Sequence, residues 1–376
     1  MEILNIYQQI RKEAERNIGS ELLASQEYYS RDQFKPFVLR EIQKYPEPYQ
    51  ARLESEFFGL GPLENLLQDD LITEILINGT QTIWYERDGK LFQHDDQFFS
   101  DCSYSNVIER LCTESGKHLS LNQPFLEGHI KGARLTIVES TITQKQAAIS
   151  IRKHPQCPWT LQRLEKQGWC SSEQGAIVRS LIQGQCNFLI VGETGSGKTS
   201  VANACLQELN NNERVIVIED SSELQLPNSV SLKLLTRDDP YQQLAPVDQH
   251  ELLRRSLRLR PDRLVMGEIR NKEAKDFLMM LATGHKGGLA TLHAKSPQEA
   301  LIRLEMLIQL GAPQWSLSAI RRLIFLSLHY ILVTERSSQG QRQLQGIYKV
   351  SSLEDSGITL DSVASSDLVT TSSEWV

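Results

Sequence analysis

Short apolar runs alternate with helical patterns through the second half of the chain. The runs read NFLIVG, RVIVIED, DRLVMGE, GLATLHA and YILVTE, and the segments between them carry apolar residues at helical spacing. Such alternation is typical of a parallel sheet with helices on both of its faces. The pattern therefore predicts an α/β domain over residues 171–350.

Changes in composition predict the other boundaries. Residues 1–48 are polar with apolar positions at helical spacing, which predicts a helical lead-in arm. Residues 50–150 contain the strand-like runs ITEILING and TIWYERDGKLFQ around an Asn-Gly turn signal, which predicts an α+β domain. Two prolines in RKHPQCPWT indicate a hinge or linker over residues 151–170. The Ser- and Asp-rich residues 351–376 predict a polar tail that is partly disordered.

The net charge of the chain limits the partners that it is expected to bind. A formal charge of -7 opposes binding to phosphodiester backbones, so we expect no direct nucleic-acid binding. The six cysteines form no C-x-x-C pair and no zinc spacing, which is typical of reduced thiols in a cytosolic protein. The N-terminus lacks a signal-peptide core, and the longest apolar run, LIFLSLHYILV, has about half the length of a membrane-spanning helix. We therefore expect a cytoplasmic protein whose membrane contact is peripheral.

The segment GETGSGKT matches the phosphate-loop pattern G-x-x-x-x-G-K-[ST], with an apolar strand before it and a helical segment after it. Glycines let backbone N–H groups turn toward a polyphosphate, Lys198 reaches the β and γ phosphates, and Thr199 can ligate Mg²⁺. A chance glycine-rich turn is the alternative, and it would not need this strand and helix. The predicted site for ATP and Mg²⁺ consists of Gly192, Glu193, Thr194, Gly195, Ser196, Gly197, Lys198, Thr199 and Ser200.

Acidic residues follow two of the predicted strands. Hydrolysis needs a carboxylate to orient water and another to complete the metal shell, and strand carboxyl ends are where ligands bind in α/β sheets. Glu219, Asp220 and Glu223 follow the run VIVI, and Glu268 ends the run DRLVMGE. We expect Glu268 or Glu223 to orient the water, Asp220 to help order the metal, and Glu219, Glu268 and Thr199 to ligate it. The alternative for Asp220 and Glu223 is a turn or a helix cap.

Two histidines and a group of arginines are further candidates. His285 and His293 flank a Gly pair and a short strand in TGHKGGLATLHA, which favours a phosphate-sensing or strand-linking role over a helical metal pair. The segment ELLRRSLRLRPDR contains Arg254, Arg255, Arg258, Arg260 and Arg263. One or two of these arginines, with Arg258 and Arg260 as the candidates, are expected to reach a neighbouring subunit's γ-phosphate, and a solvated basic face is the alternative.

In this order, the phosphate loop, VIVIEDSSELQL, PDRLVMGEIR and TGHKGGLATLHA resemble the secretion ATPase family, the hexameric motors of type II and type IV secretion systems and type IV pili. The segments FFGLGPLENLLQDDLITEILINGTQTIWYERDGKL, EGHIKGARLTIVESTIT and AAISIRKHPQCPWTLQRL resemble the N-terminal domain of its CpaF-like branch, the motors of Tad pili. The resemblance covers roughly residues 55–350. IKGARL departs from the family's usual DG-R turn, and the tip between LLTRDDP and VDQHELL is short.

The resemblance implies a RecA-like P-loop NTPase domain at the C-terminus and a smaller α+β (PAS-like) domain at the N-terminus. It also implies a homo-hexamer that hydrolyses ATP and works with inner-membrane platform proteins to drive pilus assembly or secretion. The family's N-terminal domain lends arginines to the nucleotide, and Arg134 and Arg152 match them by position. Such a motor is cytoplasmic and is held at the inner membrane by its partners.

Three alternatives remain open at the level of sequence. A motor of a conjugative or effector-delivering type IV secretion system would share every candidate residue. A P-loop kinase or GTPase would need an acceptor-binding lid or an N-K-x-D-like guanine reader, and the sequence contains neither. A structural ring subunit would hold ATP without hydrolysing it.

Overall fold

The computed structural model describes residues 2–18, 31–87, 89–143, 145–153, 158–237, 244–337, 340–355 and 357–365. The chain forms two compact units, Met1–Gln156 and Cys157–Val376. Among the described residues, no helix combines the length and the apolar character that crossing a membrane requires.

The first unit combines helices with one antiparallel sheet. Its helices are α1 (Glu2–Ile18), α2 (Arg31–Ile42), α3 (Glu47–Phe58), α4 (Leu63–Gln68), α5 (Asp101–Ser115) and α6 (Ser140–Thr143). Its strands are β1 (Ile72–Asn78), β2 (Ile83–Arg87), β3 (Lys90–Gln93), β4 (Phe125–Ile130), β5 (Ala133–Val138) and β6 (Ala148–Lys153). The strand order is β3-β2-β1-β6-β5-β4, and every neighbouring pair is antiparallel. The predicted α+β domain is confirmed.

One face of this sheet is buried and the other is open. Along β5 buried and half-buried residues alternate, because successive side chains point to opposite faces of a strand. Leu135 and Ile137 from the buried face pack in one core with Val107 and Leu111 of α5. Helix α5 is capped by Ser100, which forms a capping box that satisfies backbone N–H groups at the helix start.

Helices α1 and α2 lie within the range expected for a lead-in arm. Ile10 of α1 and Val38 of α2 share a core with Leu53 and Phe57 of α3. The arm is therefore packed against α3 of the first unit, and residues 19–30 lie outside the described part of the chain.

The second unit is built on a larger, mostly parallel sheet. Its helices are α7 (Leu161–Lys166), α8 (Ser172–Gln183), α9 (Lys198–Leu206), α10 (Gln249–Ser256), α11 (Glu273–Ala282), α12 (Pro297–Gly311) and α13 (Leu317–Ser327), with a 3₁₀ turn at Leu257–Leu259. Its strands are β7 (Phe188–Gly192), β8 (Val215–Glu219), β9 (Leu232–Leu235), β10 (Arg263–Met266), β11 (Leu289–His293), β12 (Tyr330–Arg336), β13 (Arg342–Glu354) and β14 (Gly357–Ser365). The order is β14-β13-β12-β7-β11-β10-β8-β9. The strands from β12 to β9 are parallel, whereas β13 and β14 are antiparallel.

Helices cover both faces of this sheet, as the strand pattern predicted. Leu189 of β7 belongs to a core with Phe277 of α11, and the next residue, Ile190, belongs to a second core with Val201 of α9. A strand that is buried on both faces reads as a continuous apolar run, which is why the five runs were visible in the sequence. The RecA-like α/β domain is confirmed.

Two of the predicted boundaries fall within regular elements. The tail expected from residue 351 starts inside β13, which pairs with β14, so the sheet continues to residue 365. Residues 366–376 lie outside the described part. The hinge expected over 151–170 contains the end of β6 and all of α7, whose Leu161 and Leu164 are buried in the second unit.

Candidate functional site

The phosphate loop joins β7 to α9, so the strand, loop and helix predicted from the motif are all present. Gly195 and Gly197 have φ of 76° and 96°, in the left-handed region that side chains disfavour. Gly197 precedes α9 without capping it through a side chain, which leaves the N–H groups of the first turn to a ligand. Thr199 and Ser200 lie half-buried in that turn. This end of α9 therefore fits an anion.

The loop contains two buried polar side chains. Lys198 is buried, and its Nζ donates to the carbonyl oxygens of Gly192 and Glu193, at 2.9 Å each. Ser196 is fully buried, and its Oγ has no hydrogen-bond partner among the described residues. A buried hydroxyl without a partner costs free energy, which a ligand that binds here would recover. At the rim, the Glu193 carboxylate lies 3.2 Å from Lys295 Nζ, and Thr194 is exposed.

Glu219 ends β8 and Glu268 follows β10, and because these strands are parallel neighbours, both carboxylates lie at the same edge of the sheet. The side chain of Glu219 is 3 % exposed, and its Oε1 accepts the backbone N–H groups of Glu223 and Leu224. Its buried Oε2 has no hydrogen bond in the described structure and lies 3.6 Å from Lys233 Nζ. Burial raises the pKa of Glu219 to about 7, against the opposing effect of its backbone hydrogen bonds and of Lys233.

Position 267, directly before Glu268, requires glycine for a steric reason. A Cβ at Gly267 would lie 2.8 Å from Glu219 Cγ, closer than carbon atoms approach. The Gly-Glu pair at the end of β10 thus makes room for the buried carboxylate on the neighbouring strand.

A chain of polar contacts links the phosphate loop to both acidic segments. His293 Nδ1 lies 3.3 Å from Lys198 Nζ, and His293 Nε2 lies 2.8 Å from Glu268 Oε1. Arg270 Nε donates to Glu268 Oε2 at 2.8 Å, and Arg270 lies 3.3 Å from Asp220 Oδ2. Four of these five residues were predicted from the sequence. Arg270 was not singled out, although a cation two positions after a carboxylate at a strand end was a signal for it.

The protonation of His293 follows from these partners. Lysine is only a donor, so Nδ1 must accept and the proton lies on Nε2, which donates to Glu268. Burial lowers the pKa of His293, Lys198 lowers it further, and Glu268 opposes both effects. The imidazole is therefore neutral and joins the loop lysine to the strand-end carboxylate.

Asp220 and Glu223 hold different positions beside this chain. Asp220 Oδ1 accepts from Thr236 Oγ1 at 3.2 Å and from Gln249 Nε2 at 2.9 Å, so it fastens two other segments rather than capping a helix. Glu223 is half-buried, and its carbonyl oxygen accepts from Asn203 Nδ2. Burial opposes the raised pKa of Arg270, which is due first to Glu268 and then to the charges of Asp220 and Glu223.

His285, Arg258 and Arg260 lie at the opposite edge of the sheet from the phosphate loop. His285 precedes β11 and its Nδ1 lies 3.2 Å from the Met280 carbonyl, whereas His293 ends the strand. With five residues at about 3.3 Å each, β11 separates the two histidines by on the order of 13 Å or more. Arg258 and Arg260 precede β10, so they lie at that same far edge.

The other arginines of the segment ELLRRSLRLRPDR have local partners. Arg263 is buried, forms an ion pair with Glu213 and donates to the Ile182 carbonyl at 2.9 Å. Arg254 and Arg255 both pair with Glu251 on α10. Structural roles thus account for the contacts of these three residues.

Arg134 and Arg152 are brought together within the first unit. They are direct partners on β5 and β6, where both side chains lie on the face opposite the buried core. Arg152 is also opposite Glu74 of β1, and Arg134 lies 3.6 Å from Glu127. The two arginines therefore lie side by side on this face of the sheet, with Glu74 and Glu127 as acidic neighbours.

The residues at the loop fit Mg²⁺ together with a nucleotide rather than a metal held by protein alone. Within the described ranges, no three His, Cys, Asp or Glu side chains are grouped to hold a metal ion. Mg²⁺ is usually bound by one or two carboxylates, waters and substrate phosphates. Thr199, the buried Oε2 of Glu219 and the carboxylate of Glu268 are the groups that would complete such a shell.

The family described as "Type II/IV secretion system protein" matches residues 56–332. A putative conjugal transfer protein of Mycobacterium tuberculosis is 30 % identical over 302 residues, which cover 78 % of this chain and 85 % of that protein. The type IV secretion system protein PtlH of Bordetella pertussis is 29 % identical over 321 residues, which cover 78 % and 94 %. In structure, the ATPase DotB of Yersinia pseudotuberculosis aligns with a TM-score of 0.55 at 18 % identity, over 82 % of this chain and 81 % of that chain, which supports the fold.

Proposed function

The chain belongs to the type II/IV secretion system protein family, and on that basis we propose that it is an ATP-hydrolysing motor subunit. Six copies form a ring that powers Tad-type pilus assembly or protein secretion through an inner-membrane platform. The subunit is cytoplasmic and is held at the inner membrane by its partners. The observation that carries the proposal is the contact chain from Lys198 through His293 to Glu268, at the mouth of the phosphate loop.

The loop residues bind the nucleotide. Lys198, which lies against the Gly192 and Glu193 carbonyls, exchanges these contacts for the β and γ phosphates. The N–H groups of the loop and of the first turn of α9 surround the phosphates, and Ser196 Oγ gains a partner. Mg²⁺ bound by Thr199 and the nearby carboxylates offsets the negative charge of the phosphates.

Glu268 is the residue that orients the attacking water in this proposal. It lies in contact with His293 and Arg270, so its carboxylate is held in a fixed direction. Glu223 is the second candidate because its half-buried side chain lies beside the same sheet edge. His293 contacts both Lys198 and Glu268, so movement of Lys198 onto a γ-phosphate alters the position of Glu268. This is how His293 senses the phosphate.

A neighbouring subunit supplies the arginines that complete the site. Arg258 and Arg260 lie at the sheet edge opposite the loop of their own chain, so they can serve only the site of another copy. Arg134 and Arg152, paired on the first unit, are the second source of positive charge. An arginine supplied in this way increases the rate by about 10³ to 10⁵ in other P-loop enzymes, so an isolated subunit is expected to be slow.

Phosphate release by the full chain tests the proposal. We expect steady turnover by the unchanged protein and loss of turnover in Lys198→Ala. Glu268→Gln is expected to bind ATP but not to hydrolyse it, and Glu223→Gln, which alters the second candidate, is expected to retain hydrolysis. Turnover that Lys198→Ala leaves unchanged would refute the site. If Glu223→Gln loses hydrolysis and Glu268→Gln retains it, the two glutamates exchange roles.

A conjugative or effector-delivering type IV secretion motor is the second candidate. It is favoured by the names of the relatives, a conjugal transfer protein and a type IV secretion protein. Deletion of the gene distinguishes the two candidates, because loss of pili supports the first and loss of DNA or effector transfer with intact pili supports the second. A ring subunit without turnover is the outcome if ATP binds and no phosphate is released.

A further inference from the structure

The hairpin formed by β12 and β13 runs along the outer side of the phosphate loop. Thr334 Oγ1 donates to the Ser196 carbonyl at 3.0 Å, and Arg342 Nε donates to the Gly195 carbonyl at 3.0 Å. The hairpin therefore holds two consecutive carbonyls of the loop. The contact is close, since a Cβ at Gly192 would lie 2.2 Å from the Thr334 carbonyl oxygen.

Holding a carbonyl also fixes the N–H of the same peptide unit. In a trans peptide the C=O and the following N–H point in opposite directions. With the Gly195 and Ser196 carbonyls turned toward the hairpin, the N–H groups of Ser196 and Gly197 face the inside of the loop. Ser196 N–H contacts the Glu193 carbonyl at 3.3 Å, a long bond that a phosphate oxygen can replace.

A tryptophan fixes the direction of the Thr334 hydroxyl. Trp169 Nε1 donates to Thr334 Oγ1 at 3.1 Å, and both side chains are at most 3 % exposed. Indole N–H is only a donor, so the hydroxyl accepts from it and donates its own proton to the Ser196 carbonyl at 3.0 Å, in preference to the Gln343 carbonyl at 3.4 Å. Trp169 is also fastened to the hairpin, because its carbonyl accepts from Leu344 N–H at 2.6 Å.

We propose that Trp169, Thr334 and Arg342 are positioning residues that preorganise the phosphate loop for the nucleotide. They act through the loop backbone and do not touch the reacting atoms. The proposal rests on the nucleotide site described under the proposed function. Preorganised N–H donors bind charge without the cost of turning the backbone at the moment of binding. We call these three side chains the clamp. Loss of the clamp should therefore weaken nucleotide binding even where the fold is intact.

The test is the affinity of the full chain for MgADP, measured by calorimetry. Thr334→Val keeps the shape and removes the hydroxyl, and we expect the Kd to rise about tenfold, which corresponds to about 1.4 kcal/mol. Thr334→Ser restores the hydroxyl and should bind within about threefold of the unchanged chain. Trp169→Phe should weaken binding in the same direction as Thr334→Val. A purely structural role would lower thermal stability without a change in Kd below the melting temperature.

Arg342→Met keeps the test decisive if the buried variants fail to fold, because Arg342 is exposed. Lys349→Met, an exposed cation on the same strand near the opposite end of β12, is its matched control. We expect a Kd rise of at least about threefold in Arg342→Met and none in Lys349→Met. Kd values within about twofold of the unchanged chain in every folded clamp variant would refute the proposed role of the clamp and leave the proposed nucleotide site standing. If the unchanged chain itself binds no MgADP, the proposed nucleotide site falls and the clamp falls with it.

Discussion

Replacing Glu219 by glutamine is expected to change how the stability of the nucleotide-free protein depends on pH. Burial raises the pKa of Glu219 to about 7, compared with 4.5 for an exposed glutamate. Between these two values the folded chain keeps a proton that the unfolded chain has released, so each pH unit lowers the free energy of unfolding by about 1.4 kcal/mol. Across the whole range between the two pKa values, the free energy of unfolding falls by about 3 kcal/mol. The loss is absent below pH 4.5 and complete above about 7.

Glu219→Gln removes this titration and keeps the shape of the side chain. The free energy of unfolding is measured by urea denaturation of the nucleotide-free chain at pH 5 and at pH 8. From pH 5 to pH 8 the free energy of unfolding of the variant should rise, relative to that of the unchanged protein, by on the order of 2 to 3 kcal/mol. Glu54→Gln, which replaces an exposed glutamate on α3, is the control.

A difference between variant and unchanged protein that is equal at pH 5 and pH 8, to within about 1 kcal/mol, would refute the reasoning. The result also bears on function, because the buried Oε2 of Glu219 is proposed to face Mg²⁺. A cation at this position favours the ionised carboxylate and would remove the pH dependence. Repeating the measurement with MgADP tests that link.

Three other outcomes are expected. Arg263→Met should lower the free energy of unfolding by about 1 to 3 kcal/mol in urea denaturation, because it leaves the half-buried carboxylate of Glu213 and the Ile182 carbonyl without this partner; a loss below about 0.5 kcal/mol contradicts this. His293→Asn should slow phosphate release, because His293 lies at the sheet edge that carries the phosphate loop, whereas His285→Asn should not. Equal effects of the two substitutions would contradict this assignment. Mixing Arg260→Ala chains with Lys198→Ala chains should give more phosphate release than either alone, since each supplies what the other lacks; no gain would count against a shared site.

Much of the second unit was predictable because its signals are local. Strands buried on both faces are continuous apolar runs, and a loop that wraps a phosphate needs glycines at fixed positions next to a helix start. The candidate carboxylates were found by the same reasoning, since they directly follow such strands. For these features the chain neighbours of a residue decide its conformation and its exposure.

Other features depend on partners that are distant in the sequence. His285 and His293 looked equivalent, and only the length and direction of β11 separate one from the loop and bring the other to Lys198. Within the expected tail, residues 351–354 and 357–365 form strands because backbone hydrogen bonds between β13 and β14 need no apolar side chains.

The sequence by itself determined that a phosphate loop lies between a buried strand and a helix, with acidic residues at neighbouring strand ends. Only the tertiary structure decided that Arg270 joins Glu268 to Asp220, and that Thr334 holds the loop from a strand more than a hundred residues away. The physical reason is the distance along the chain over which the interactions act. Backbone geometry and burial patterns depend on residues that are adjacent in the sequence. A hydrogen bond between distant segments exists only once the sheet has brought their ends together.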